Sequence, residues 1–302
     1  MIVGIFGGLG YIGSRLVTKL EQNHTVLIAD KMMYEADKKF LEGKTIYKFD
    51  ISEQKNVESF IDKCDKIVNL SAYVGENICQ KYPLEANETN HLNAIKISDY
   101  CNNKKKQMIF LSTCSNYGSN SKICHEDSNL NPLTLYSKTK VSTETHVLKT
   151  NPFGIVLRMS TIFGVSDSRT RFDIIPNQFI KEAVTKKKIS VYKPESIRPI
   201  IHVDDAVQII IKFLESDTNH SVYNVGFNSM NLTKNDMIYE LSKQIKFKEE
   251  KIQSNDDRSY NVDFSRLHSE FEIKQIYSLE KGISQVLTAI NSKQVDLNCG
   301  NY

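Results

Sequence analysis

Tyr136 and Lys140 stand four residues apart in YSKTK. Upstream, STCSNYG (112–118) sets hydroxyls, a thiol, an amide and a phenol directly behind the apolar run QMIFL. Residues at i and i+4 share one face of a helix, so a phenol and an ammonium at this spacing point into the same cleft. Beside a cation a phenolate is favoured, which brings tyrosine toward the range of a general base for an alcohol proton. A further hydroxyl at the end of the preceding strand would complete the set by hydrogen-bonding the same substrate oxygen. Cys114 raises a second reading, a thiol nucleophile. No histidine partner accompanies it, so a small pocket-lining side chain is the better reading.

Such groups need a scaffold, and the first half supplies one. IVGIFGG, TVLIAD, TIYKFD, KIVNLSA and QMIFLST read as five apolar strands, and helical stretches separate most of them, notably 53–62 and about 83–103. Apolar strands alternating with helices predict a parallel sheet covered on both faces. At the first strand-to-helix turn stand Gly7, Gly10 and Gly13 in GGLGYIG. Glycines there allow a tight turn and close approach to a pyrophosphate, while the helix N-terminus faces the phosphate charge. Asp30 closes the second strand 17 residues after Gly13, where a carboxylate accepts hydrogen bonds from ribose hydroxyls. NAD is therefore expected rather than NADP, although Lys31 could bind a 2′-phosphate. The same groove is expected to run past Tyr11 and Ile12, past Asp50 and Ile51 at the adenine, and past Leu70, Ser71 and Ala72 beneath the dinucleotide. An oxidised nicotinamide beside Tyr136 and Lys140 would favour the phenolate further. Loss of the hydroxyl proton must accompany oxidation of a carbinol carbon.

With 302 residues, 40% of them apolar, the chain can bury a sizeable core. Lysine plus arginine number 39 against 36 acids, and the charges are scattered, so nothing points to nucleic acid. The runs Lys104–Lys106 and Lys186–Lys188 fall where helices are predicted to end, where cations suit the macrodipole. Six cysteines without a C-x-x-C pair fit reduced thiols, and no metal site is expected. No basic leader or long apolar segment marks export or a membrane, so a cytoplasmic location is the expectation.

Taken together, GGLGYIG, STCSNYG, YSKTK, LRMSTIFG, RPIIHVDDA and RSYNVDFSRL resemble the extended short-chain dehydrogenase/reductases, specifically the NAD-dependent epimerase/dehydratase group acting on nucleotide sugars. The resemblance runs from residue 2 to about 268. It implies an α/β fold, a Rossmann-type doubly wound parallel sheet with a smaller C-terminal α/β substrate-binding portion. The expected division is 1–165 with about 196–225 for NAD, and about 166–195 with 226–302 for the nucleotide sugar. By this resemblance Tyr136 is the catalytic base or acid, Lys140 holds the nicotinamide ribose, Thr113 takes the serine/threonine role and Asn90 lies close to the cofactor. Arg198 and Arg258 match arginines that grip a diphosphate, a task suited to guanidinium forks. Cys114, Ser115, Thr161 and Asn177 complete the expected substrate residues, Asn177 heading a helix entered through Pro176. Thr161 departs from an asparagine common in the group.

Relatives that dehydrate a sugar 4,6-wise follow the catalytic threonine with aspartate and glutamate. Cys114 and Ser115 stand there instead, so elimination is not expected. That leaves an NAD-dependent nucleotide-sugar epimerase working through a keto intermediate, with C4 the expected carbon. A nucleotide-4-keto-sugar reductase or C4 dehydrogenase, and a non-catalytic NAD sensor, remain open. The close-spaced His202, Asp204 and Asp205 read as a strand end and an aspartate helix cap rather than a metal site. In the family, helices matching 83–103 and 136–150 usually pair with a second subunit, so a homodimer is expected.

Overall fold

The computed structural model describes residues 1–254 and 256–300. Five strands, β1 (Ile2–Phe6), β2 (Thr25–Asp30), β3 (Thr45–Lys48), β4 (Lys66–Asn69) and β5 (Met108–Thr113), are joined by Gly154–Met159 and Val222–Val225 in one seven-stranded sheet. Its order is β3, β2, β1, β4, β5, Gly154–Met159, Val222–Val225, and every neighbouring pair is parallel. This is the expected doubly wound Rossmann-like sheet. The strand order changes direction between β1 and β4, where a crevice opens at the carboxyl ends.

Side-chain alternation explains why these strands are apolar throughout. Val3 and Ile5 of β1 enter one core with Leu16 and Val17 of α1 (Tyr11–Leu20) and with Ile209 and Ile210 of the helix Val203–Glu215. Phe6, on the opposite face, enters a second core with Phe60, Ile97, Met108 and Phe110.

The run GIVLRMSTIFG breaks at Ser160, whose hydroxyl donates to Val225 O at 2.7 Å. Thr161–Phe163 leaves the main sheet and pairs in parallel with Ile197–His202, which pairs antiparallel with Asn231–Thr233. Ile197–His202 thus lies outside the seven-stranded sheet, although Val222–Val225 belongs to it. Ser119–Cys124, not foreseen as a strand, pairs with Ser259–Val262, so part of the loop after β5 joins the second half of the chain. The helix cap at 203 also differs from expectation. His202, not an aspartate, caps that helix, its Nδ1 accepting from Asp204 N at 3.2 Å. Asp204 instead holds Arg15 at 2.5 Å, and Asp205 accepts from Ile276 N and Tyr277 N.

The predicted helix over 83–103 is built from three pieces, Pro83–Asn87, a π-helical stretch Glu88–Asn93 and Ala94–Asn103. Wide turns of this kind concentrate at functional sites, and this one buries Thr89, Asn90 and Asn93. Among the described residues no helix is long and apolar enough to cross a membrane, and no group of His, Cys, Asp and Glu could hold a metal ion.

Candidate active site

Two cavities open side by side at the carboxyl ends of β1, β4 and β5. The first is lined by Gly7, Gly10, Tyr11, Ile12 and Gly13, by Asp30 and Lys31, by Asp50 and Ile51, and by Leu70, Ser71 and Ala72. Every cofactor residue expected from the four strand ends lines it. The second is lined by Thr113, Ser115, Tyr136, Lys140, Thr161 and Arg258. Tyr11, Ile12, Leu70, Ala72, Val74 and Arg171 line both, so the two meet.

The first cavity suits a dinucleotide. Gly7 has φ +76°, which favours glycine, and a Cβ there would lie 2.9 Å from Ser71 N. A Cβ on Gly13 would lie 2.4 Å from Gly7 O, so only glycine lets α1 abut the turn. Gly10 heads α1 with no side-chain cap, leaving the first-turn amides to the cavity, a ready place for pyrophosphate. Asp30 is fixed by Leu9 N at 3.1 Å and Met32 N at 2.8 Å. Burial raises its carboxyl above the usual range, and those two amides oppose the rise. Lys31 is engaged by Asp50 and by Tyr73 OH, 3.3 Å from each.

Tyr136 and Lys140 lie in the helix Leu135–Thr150. Thr134 heads it with a reciprocal cap, its hydroxyl accepting from Ser137 N while Ser137 Oγ accepts from Thr134 N, both at 3.1 Å. Lys140 is buried and donates from Nζ to Leu111 O at 2.8 Å. That bond ties the helix to β5 two residues before Thr113. Thr113 Oγ1 lies 3.0 Å from Ser115 Oγ and accepts from Ser115 N, turning the chain into the short helix Cys114–Tyr117.

Beneath them lies a buried ion pair. Arg158 grips Glu144 through Nε at 2.8 Å and Nη2 at 2.5 Å, and Ser112 and Asn116 donate to the other carboxylate oxygen at 2.6 and 3.1 Å. The network locks the helix, β5 and Gly154–Met159 at one register. Thr113 and the Tyr136–Lys140 pair therefore share a rigid base.

Electrostatics differ from the expectation that Lys140 lowers the tyrosine. Burial raises the Tyr136 phenol well above its usual range, Cys79 adds to the rise and Arg171 opposes it. Burial also pushes the Lys140 ammonium down to about 8. Lys140 Nζ stands 6.0 Å from the tyrosine ring, and desolvation of the cleft outweighs a cation that is itself disfavoured.

Four predicted residues lie behind the cavity walls rather than in them. Cys114 is 1% exposed, donates to Arg158 O at 3.1 Å and packs with Tyr117, Tyr260 and Phe264; burial raises its thiol, so it is neither nucleophile nor lining. Asn177 is fully buried and bonds Gly164, Arg171 O and Tyr11 OH, making it a brace between α1 and the chain after Thr161–Phe163. Asn90 clamps Tyr73, accepting from its N at 2.7 Å and donating to its O at 2.9 Å, while Thr89 is the neighbour that reaches the cofactor cavity. Arg198 sits behind Arg258, donating to Arg258 O, and both guanidiniums hold Asp256.

Sequence reasoning missed Tyr34, Tyr73, Arg169 and Arg171 on the first cavity and Gln178, Tyr192 and Tyr260 on the second. Arginine usage held a signal. Seven arginines stand against 32 lysines, and none of the seven is exposed.

A profile of the NAD dependent epimerase/dehydratase family matches residues 3–226. The chain is 28% identical over 253 residues to the dTDP-D-glucose 4,6-dehydratase of Dictyostelium discoideum, a match covering 74% of this chain and spanning only 57% of that protein. It is 27% identical over 256 residues to the UDP-glucose 4-epimerase of Lactobacillus helveticus, covering 75% and 76% of the two chains. In fold it is similar to the UDP-glucuronic acid 4-epimerase of Bacillus cereus, solved with UDP-glucuronic acid and NAD, at a TM-score of 0.86 and 21% identity over 97% of this chain and all of that one. With this family profile matched over about three quarters of its length, the chain belongs to the NAD-dependent epimerase/dehydratase family, whose cofactor is NAD.

Proposed function

We propose that this protein is a nucleotide-sugar epimerase that oxidises one carbinol carbon, expected to be C4, and reduces the resulting ketone on its other face. The observation that carries the reading is that Tyr136, Lys140 and Thr113 line one cavity, which shares Tyr11, Ile12, Leu70, Ala72, Val74 and Arg171 with the neighbouring dinucleotide cavity. NAD, when bound, takes up hydride from the sugar carbon and gives it back. Tyr136 receives the hydroxyl proton at its phenolic oxygen and returns it, with Thr113 Oγ1 hydrogen-bonding the same oxygen. Because burial alone favours the neutral phenol, the phenolate depends on added positive charge, from Arg171 and from the oxidised nicotinamide that bound NAD would supply. Lys140, anchored on Leu111 O, would hold the nicotinamide ribose. Arg258, its guanidinium aligned by Asp256 at 2.8 Å through two nitrogens, would hold the diphosphate.

Relatives in this family dehydrate, epimerise or decarboxylate, so the residues of the site decide between reactions. Among the described residues the one carboxylate lining the sugar cavity is Asp173, held by Arg171 at 3.0 and 2.5 Å. Ser115 and the buried Cys114 supply no acid for expelling water, which supports redox chemistry without elimination. The half-exposed Leu92 and the 77% exposed Leu84 on the helical stretch 83–103 support pairing with a second copy along that face.

Tyr136→Phe tests the assignment. It should lower kcat on a nucleotide-sugar substrate by about a hundredfold or more while NAD binding by titration stays nearly unchanged. Full turnover in that variant would remove Tyr136 from the chemistry.

A further inference from the structure

In the stretch 168–173, Arg169 and Arg171 both line the dinucleotide cavity. Three separate attachments hold it across. Toward the loop after β2, Arg169 stacks its guanidinium on the Tyr34 ring with Cζ 3.6 Å from the centroid, and Ser168 Oγ accepts from Asp37 N at 3.1 Å. Toward the loop after β4, Arg171 Nη2 donates to Val74 O at 3.2 Å. From outside, Arg169 Nη2 donates to Gly300 O and Phe172 N donates to Cys299 O at 3.0 Å, so the stretch 295–300 backs it. Tyr34 lines the same cavity, and its hydroxyl is buried with no hydrogen-bond partner among the described residues.

We infer that Arg169 and Tyr34 form a clasp over the dinucleotide that retains the cofactor between turnovers, with 168–173 as its bar and 295–300 as its backing. This rests on the epimerase reading, in which one substrate molecule is both oxidised and reduced, so the reduced cofactor must stay while the ketone turns. A planar guanidinium lying flat on a ring is the contact that a flexible ammonium replaces poorly. Opening the cavity toward β2 requires that stack to part, together with the Ser168 bond to Asp37 N. The clasp is a positioning device and takes no part in proton transfer.

The full-length protein loaded with NADH tests it, with the decay of bound NADH fluorescence followed after mixing with excess NAD and no sugar. Arg169→Ala and Tyr34→Ala should each release NADH about tenfold faster than the parent chain. Tyr34→Phe, which keeps the ring face, should release at the parent rate, and Arg169→Lys should fall with the alanine variants. Parent-like release from both alanine variants, or from Tyr34→Ala alone should Arg169→Ala not fold, would overturn the clasp. Release is read without substrate and isomerisation with it, so a failure of the clasp and a failure of the epimerase proposal are told apart.

Discussion

Tyr136 and Lys140 occupy a cleft that disfavours the charge of each, so under the epimerase proposal their chemistry waits on the ligands. Burial raises the phenol and pushes the ammonium down to about 8, which shifts both toward their neutral forms, and geometry rather than mutual attraction holds the pair together. His202 shows the same physics away from the cavities. It is fully buried, accepts from Asp204 N, lies 2.7 Å from Gln285 Oε1 and stacks on Tyr277 at 3.6 Å. Burial pushes its imidazole from 6.5 down to about 4. Between those two values the unfolded chain binds a proton that the folded chain refuses, so stability falls as pH drops through the window and is fully kept above about 6.5. Asp205, its carboxyl raised by burial to about 6, acts in the opposite sense over much of this window, so the His202 contribution is read as a difference between parent and variant. With thermal midpoints measured from pH 7 to 4.5, His202→Asn, which keeps a cap acceptor, should show a lower midpoint at pH 7 and lose less on acidification than the parent; an unchanged slope would remove His202 from the acid response.

At the scale of elements, the helix Leu135–Thr150 matters most, and its apolar pattern gave it away least. Its inward face carries Thr139, Lys140, Thr143, Glu144 and Val147, so burial is mostly polar and the usual apolar stripe is missing. The Tyr-Lys spacing revealed it where hydrophobic periodicity could not. β1, β2, β4 and β5, buried on both faces, were legible for the opposite reason, as were Gly7, Gly10, Gly13 and Asp30 from backbone shape and strand ends. Cys114 and Asn177 were misplaced because a small polar side chain next to a site can face either the cavity or the support behind it. That choice is set by partners distant in sequence, such as Arg158 and Gly164. The buried Glu144–Arg158 pair ties this helix to the sheet, so removing one partner leaves an uncompensated charge. Glu144→Gln should cost about 3–5 kcal/mol in denaturant unfolding. A loss below about 1 kcal/mol, the range of an exposed pair, would show that the network contributes little.

For the whole molecule, the reversal of strand order between β1 and β4 opens one crevice, and the second half of the chain covers it from the far side through Thr161, Arg171, Tyr192 and Arg258. Sequence alternation foretold the crevice. It could not foretell the cover, because Thr161–Phe163, Ile197–His202 and Asn231–Thr233 pair across long separations with no local signal. The central claim is that this covered crevice oxidises and re-reduces one sugar carbon without elimination. Its most direct test follows UDP-glucose and UDP-glucuronic acid with the purified protein and NAD, by chromatography with mass detection and by absorbance of reduced nicotinamide. The account predicts a new isomer of unchanged mass with reduced nicotinamide never exceeding the protein concentration. A product lighter by one water, or NADH formed in step with product, would contradict it.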